Sequence, residues 1–420
     1  MDVFTLITLL IVAAAAFSYL NARWLKLPDA IGIMVISLSF SLLLIGINAI
    51  YPDSFSLVRQ TIAGIDFNKA LFDVMLSFLL FAGAFHTDAA KLRVERRSVM
   101  LFAFVGVLLS TAFVGTGLYY LTRYLNVNLS FPLCLLFGAL ISPTDPIAVL
   151  GILSKFKLPE SVKLNIVGES LFNDGVGVVV FASIYQIVLN GSASVSAGEI
   201  AWLFVEEAGG GILFGIALGY ILYWLLRSIN HYQTEVIITV AGVMGGYLLA
   251  QTLHISGPLA MVVAGLLVGD HDARQDAMSH TTKEYVDKFW EVVDGILNAL
   301  LFVLIGLELL IIDFEFKQWP IYVLVVLIVL ASRYLAIIIP FKVARRWLDL
   351  DNKAPLMLTW GGLRGGISIA MALSIDNSFP QKDFLVTITY AVVLFSVIGQ
   401  GLTMERLIRR LYPASKGEEL

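Results

Sequence analysis

The chain has 420 residues, of which 58% are apolar and only 14% charged, with a formal net charge of −4 and a mean hydropathy of +0.85. A soluble domain carries about 25% charged and about 45–50% apolar residues, so the composition excludes an ordinary soluble protein and indicates a polytopic all-α membrane protein. No basic tract is concentrated enough to engage nucleic acid, and the single Cys134 allows neither an intramolecular disulfide nor a thiolate metal site.

A bilayer core needs about 20 apolar residues per helix. Runs of that length between charge clusters give thirteen spans at 3–20, 27–48, 70–87, 98–121, 130–151, 164–190, 200–226, 234–252, 255–269, 289–311, 320–341, 354–376 and 384–404. The first run resembles a signal peptide, but Asp2 replaces a basic leader segment and Arg23 and Lys26 follow it. It is therefore expected to be an uncleaved helix with its N-terminus outside. The alternate loops support that orientation: those assigned inside hold 21 Lys and Arg residues and those assigned outside hold five. The remaining two, Arg333 and Arg364, lie within spans, and the C-terminus is expected in the cytoplasm.

An inverted internal repeat is expected from two matching offsets. Leu79-Leu80-Phe81 in span 3 and Leu300-Leu301-Phe302 in span 10 are 221 residues apart. Thr144 in span 5 and Arg364 in span 12 are 220 apart, and seven spans separate the members of each pair, so the partners cross in opposite senses. Both members of the second pair sit in helix breaks, Ser142-Pro143-Thr144-Asp145-Pro146 and Gly361-Gly362-Leu363-Arg364-Gly365-Gly366. Proline removes a backbone donor and glycine tolerates open backbone. Irregular backbone at that depth is tolerated where it is buried in protein or lines a wet cavity, which makes the two breaks the best sequence pointers to a binding site.

A charged side chain at a helix centre costs about 2.5–3.5 kcal/mol even on the lenient insertion scale, so the charges near mid-span need a purpose. They are Asp145, Glu169, Asp174, Arg333 and Arg364; Asp73, Asp294 and Glu308 lie nearer span ends and are expected at the interface. Three carboxylates against two guanidiniums leave one negative charge for a mobile cation, either a proton or a small monovalent ion. In Gly168-Glu169-Ser170-Leu171-Phe172-Asn173-Asp174 the i, i+4 spacing places Ser170 beside Asp174, and Glu169 with Asn173 on an adjacent face. Hard monovalent cations prefer oxygen ligands, which Asp174, Asp145, Ser170 and Thr144 can supply.

These residues resemble the monovalent cation:proton antiporters, specifically the prokaryotic sodium/proton antiporters allied to the animal sodium/proton exchangers. The resemblance runs nearly end to end and is carried by Ser-Pro-Thr-Asp-Pro at 142–146, Gly-Glu-Ser-Leu-Phe-Asn-Asp at 168–174, Ser-Gly-Pro-Leu-Ala at 256–260, Arg333, and Gly-Gly-Leu-Arg-Gly at 361–365. It implies a fold of about thirteen transmembrane helices, with two six-helix inverted repeats and crossed discontinuous helices at spans 5 and 12. One transmembrane domain would cover 1–404, comprising a core bundle that includes 70–190 and 289–404 and a dimerisation bundle that includes 1–69 and 200–288. A short cytoplasmic tail would follow at 405–420. The family pattern makes Asp174 the site where cation and proton bind, with Asp145, Thr144 and Ser170 giving nearby oxygens and Asn173 completing the cation/proton site. Asn173 stands where electrogenic relatives have a second aspartate, which implies one-for-one electroneutral exchange. Glu169 and Arg333 resemble a structural ion pair, and Arg364 a counter-charge at the helix crossing. Where animal exchangers often carry an acidic residue in the third span, this chain has Phe81-Ala82-Gly83.

The resemblance further implies a homodimeric, multi-pass protein of the cell (inner) membrane, working by elevator-type alternating access on Na+, with Li+ or K+ as possible substrates. No cofactor is expected besides the transported ions. An intramembrane aspartyl protease would need Asp145 and Asp174 as a dyad, but neither lies in the Tyr-Asp or Gly-x-Gly-Asp setting of such enzymes. A channel suits crossed broken helices and one titrating carboxylate less well than stoichiometric turnover does.

Overall fold

The computed structural model describes residues 3–51, 71–127, 129–145, 149, 151, 153, 156, 158–190, 197–271, 274, 278–312 and 318–413. Pro146 with most of the second half of span 5, the loop residues Arg59, Lys69, Lys155, Lys157 and Lys317, and residues 414–420 of the tail lie outside them. The described residues are all-helical apart from one isolated β-bridge.

In chain order the helices are α1 (Val3–Leu20), α2 (Asp29–Ile50), α3 (Leu76–Phe85, led by the π turn Leu71–Met75), α4 (Ala89–Val94), α5 (Arg96–Tyr124), α6 (Phe131–Ile141), α7 (Glu160–Asn190), α8 (Ala197–Arg227), α9 (Tyr232–Thr252), α10 (Gly257–Gly269), α11 (His280–Glu308), α12 (Trp319–Val343), α13 (Ala354–Gly361), α14 (Gly366–Leu373) and α15 (Lys382–Leu411). Among the described residues nine helices are long and apolar enough to cross a membrane, and three more are apolar but shorter. Local chemistry sets several ends. Pro132 and Pro355 occupy first-turn positions of α6 and α13, where a missing N–H costs nothing. Ser256, the first residue of the Ser-Gly-Pro motif, caps α10 by accepting from the Leu259 N–H at 3.3 Å. α11 begins at 280, nine residues before the expected start of its span.

Apolar side chains alone do not drive helices together in lipid, so close packing of small residues has to. Gly211, Gly215 and Gly219 on α8 show this against α10: a Cβ at the first two would lie 2.6 Å from the Ser256 and Ala260 carbonyl oxygens. The buried apolar residues form two clusters. The smaller gathers α3, α8, α9, α10 and the first half of α11 around Trp290, and Leu171 of α7 reaches into it. The larger gathers α1, α2, α5, α6, α7, the end of α11 and α12–α15. Hydroxyls bind α2 to the end of α11, with Ser37 donating to the Val303 carbonyl at 3.0 Å and Ser41 to the Gly306 carbonyl at 2.8 Å. The packing thus sets α3 against α10, with α9 and α11 beside it.

Candidate functional site

α6 stops at Ile141 and α13 at Gly361, and the two breaks lie against each other. The Asp145 N–H donates to the Leu363 carbonyl at 2.7 Å in an antiparallel bridge. Arg364 crosses the other way: its guanidinium donates to the Ser142 carbonyl and, at 2.9 Å, to the Pro143 carbonyl, while its own N–H donates to Ser396 Oγ at 2.8 Å. A cation at the carbonyl end of a half-helix answers both the orphan acceptors and the negative end of the dipole. Arg364 is 2% exposed, so the break that supplies it also neutralises the break it meets.

α7 brackets the first break from the side. Asn173 Oδ1 accepts from the Thr144 N–H at 3.2 Å, Asn173 Nδ2 donates to Thr144 Oγ1 at 2.7 Å, and Thr144 Oγ1 and Ser170 Oγ share a hydrogen bond at 2.9 Å. All three residues are buried. Asn173 therefore holds both the amide and the hydroxyl of one residue in an unwound segment that has no helical partners of its own. Three residues earlier than Asn173 in the helical turn, Ser170 turns to Thr144; no hydrogen bond joins it to Asp174.

Asp174 faces the opposite way, into a cavity of about 640 Å³ on the seam between the two apolar clusters. Glu160, Lys163, Leu164, Val167, Leu171 and Asp174 line it from α7 at helical spacing, and Asp145, Gly365 and Ser368 close its deep end. Asp174 is 8% exposed and has no hydrogen-bond partner among the described residues. Ser368 is fully buried, and its Oγ has no partner there either. The cavity's other end is charged: Lys91 meets Glu160 at 2.6 Å, which raises the ammonium pKa above its usual range chiefly through that hydrogen bond. Nearby, Arg93 pairs with Asp270 and Arg274 with Asp287, each at 2.6 Å.

Glu169 points away from the cavity to Arg333 of α12 at 2.5 Å, with both side chains almost fully buried. Arg333 Nη2 also donates to the Leu358 carbonyl at 3.5 Å, tying α13 to the pair. Sequence reasoning missed Ser368 and set aside Asp294, which lines the cavity together with Glu291. α11 starts so early that Asp294 lies in the middle of the helix. Ser368 carried one available signal, its place in the first turn after the glycine break.

Gly365 is required by close approach, since a Cβ there would lie 2.6 Å from Asp145 Oδ2. Gly365→Ala is expected to displace the Asp145 carboxylate and reduce turnover about tenfold or more, because misplacement of a site by 1 Å is that costly. Initial transport rates, normalised to folded protein, check it; a rate within twofold of the parent contradicts the assignment of Asp145 to the site.

A family model described as sodium/hydrogen exchanger, transmembrane, matches residues 9–410. The chain belongs to the sodium/hydrogen exchanger family. It is 46% identical over 98% of its length to the Na+/H+ antiporter NhaP of Pseudomonas aeruginosa, covering 99% of that protein. It is 35% identical to the Na+/H+ antiporter NhaH of Halobacillus dabanensis, covering 98% of each chain. Its fold matches the sodium proton antiporter MjNhaP1 of Methanocaldococcus jannaschii at pH 8 with a TM-score of 0.77, 22% identity, and coverage of 98% and 99% of the two chains. This exchanger-family chain is thus a membrane transporter rather than an enzyme, with the all-helical fold of MjNhaP1.

Proposed function

We propose that the protein exchanges Na+ for H+ one for one, the two competing for Asp174. The observation that carries this reading is Asp174 itself, a buried carboxylate without a hydrogen-bond partner among the described residues, at the deep end of a cavity beside two touching helix breaks. Burial disfavours an uncompensated carboxylate, so Asp174 takes up either a proton or a cation. Asp145 and Ser368 line the same cavity and offer further oxygens, while Thr144 and Ser170 hydrogen-bond each other behind Asp174. Asn173 contributes by holding Thr144 in place. The charge inventory agrees with a 1:1 ratio: Arg333 is occupied by Glu169 and Arg364 by backbone carbonyls, and the five charges sum to one negative.

In the orientation set by the loop charges, the cavity opens to the cytoplasm. Thirteen spans in two inverted six-helix repeats, with α6 and α13–α14 as the crossed pair, give a body built on α5–α7 and α12–α15 that slides against the remaining helices. That body belongs to the core bundle that includes 70–190 and 289–404, and the bundle that includes 1–69 and 200–288 supplies the static, dimerising surface in the inner cell membrane. K+/H+ exchange on the same scaffold is the second reading, favoured by the same oxygen ligands.

The test is a pH-dequenching assay in proteoliposomes with Na+, Li+ and K+ in turn, repeated with the membrane potential clamped. Na+-driven proton movement at a potential-independent rate is expected; a rate that follows the potential rejects the 1:1 ratio, and K+ alone as driver selects the second reading. Ser368→Ala should raise the half-saturating Na+ concentration about tenfold, the cost of losing one oxygen to a charged ligand. An unchanged value removes Ser368 from the ligand set.

Asp294→Asn tests the mouth of the cavity rather than its base. A like-charged cleft raises local cation concentration and association rates, an effect that salt screens. Neutralising Asp294 should therefore lower exchange severalfold at low ionic strength and much less at high ionic strength, with maximal turnover retained. A loss independent of ionic strength would instead make Asp294 part of the ligand set.

A further inference from the structure

At the end of the bundle that carries Arg96 and Arg97, a second pair of cavities lies outside the transport route, between the start of α5 and the end of α12. One is an apolar groove of about 690 Å³, walled by Met100, Leu101, Phe104, Ile339 and Val343. The other, of about 250 Å³, is polar and includes Arg93, Arg96, Arg97 and Ser98. Arg97 and Trp347 line both, so the polar chamber adjoins the apolar one at those two side chains. Two local irregularities accompany the groove: the π turn Leu101–Gly106 at the start of α5, and Pro340 near the end of α12.

The polar chamber presents two exposed cations that are uncommitted among the described residues. Glu95 also lines it, but it is 7% exposed and is engaged by Ser98 Oγ at 2.9 Å and Asn165 Nδ2 at 3.1 Å. Arg93 is committed to Asp270 at 2.6 Å. Arg96 and Arg97 are exposed and have no ion-pair partner among the described residues, and Asp349 is the one exposed carboxylate of the lining. The groove beside it is exposed and apolar, with Val343 at 81% and Trp347 at 72%. Tryptophan favours the headgroup level of a bilayer, and guanidinium groups match phosphate oxygens with two parallel hydrogen bonds. Two exposed, uncommitted arginines beside an exposed apolar groove, at the end of the bundle where the loop charges are expected inside, have the chemistry of a phospholipid site.

We propose that this composite cavity binds one anionic glycerophospholipid, its phosphodiester on Arg96 and Arg97 and an acyl chain in the groove between α5 and α12. The lipid then rides on the body that carries the ion site, since both helices pack in the larger apolar cluster. A general surface attraction to anionic lipid would depend on the count of exposed cations; a site depends on these two.

The experiment is native mass spectrometry of the full-length protein, equilibrated with equimolar phosphatidylglycerol and phosphatidylcholine. The parent is expected to retain phosphatidylglycerol about tenfold in preference, and Arg96→Ala/Arg97→Ala to lose that preference. Arg409→Ala/Arg410→Ala, which removes as much exposed charge from α15, should keep it. Met100→Trp, which fills the groove while leaving both arginines, should reduce retention of either lipid at this position. Equal preference in the Arg96/Arg97 variant and the parent overturns the proposal. So does equal loss in the Arg409/Arg410 variant, which marks non-specific attraction, or a retained mass matching a free fatty acid.

Discussion

Asp174→Asn is expected to abolish cation-driven proton movement while leaving the protein folded. The substitution preserves shape and removes the charge. A hydrogen bond or ion contact to a charged group is worth about 1.5–3 kcal/mol, and at the upper figure the loss in cation binding is about a hundredfold. The proton-carrying group disappears with it, so no second route for exchange remains at this position. Folding should not suffer, because Asp174 has no hydrogen-bond partner among the described residues and a buried charge is itself a cost. The midpoint of thermal unfolding is therefore expected to stay or to rise, and its stabilisation by added Na+ to vanish. Both are measured on the same preparation, transport by pH dequenching and unfolding by intrinsic fluorescence. Exchange above about a tenth of the parent rate would move the binding role to Asp145, which shares the cavity.

The same contrast between charge and packing decides what could be read from the chain. The two breaks were legible because Pro143 and the glycines at 361, 362, 365 and 366 interrupt apolar helices where an interruption needs a wet or protein-lined neighbour. The mid-span charges were legible because each is costly in lipid. Helical spacing, however, names residues that share a face without naming what the face meets. Ser170 and Asp174 are one turn apart, yet one bonds Thr144 and the other lines the cavity. The difference was settled by the unwound segment, whose Thr144 amide donates to Asn173 and whose Thr144 hydroxyl bonds Ser170. Ranges of spans suffered from a related ambiguity. A helix that extends past the apolar run, as α11 does from 280, also turns Asp294 into the cavity, and nothing in the hydropathy of 289–311 reveals that face. The company that α3 keeps was equally hidden, since a helix apolar on all sides can pack either way and small residues such as Gly265 and Gly269 decide where backbones approach.

Glu169 and Arg333 call for a different experiment, because their expected effect is on stability. Their side chains are 2% and 3% exposed, and 2.5 Å separates Oε1 from Nη1. Removing one partner of a buried pair leaves an uncompensated charge and costs about 3–5 kcal/mol, whereas replacing both with groups of similar size is often close to neutral. Arg333→Met and Glu169→Gln are therefore each expected to lower the yield of folded protein and the unfolding midpoint sharply, and Glu169→Gln/Arg333→Met to recover most of the loss. The recovery should be incomplete, since Arg333 also binds the Leu358 carbonyl at the end of α13 and stands within contact of Gly362 at the second break. A transport assay on the double variant separates the two roles. If the pair is structural, the double variant still exchanges Na+ for H+ with an unchanged half-saturating concentration, because neither side chain lines the cavity that holds Asp174. A double variant as unstable as either single one contradicts pairwise compensation, and a stable double variant with a large shift in Na+ affinity assigns the pair to ion binding after all.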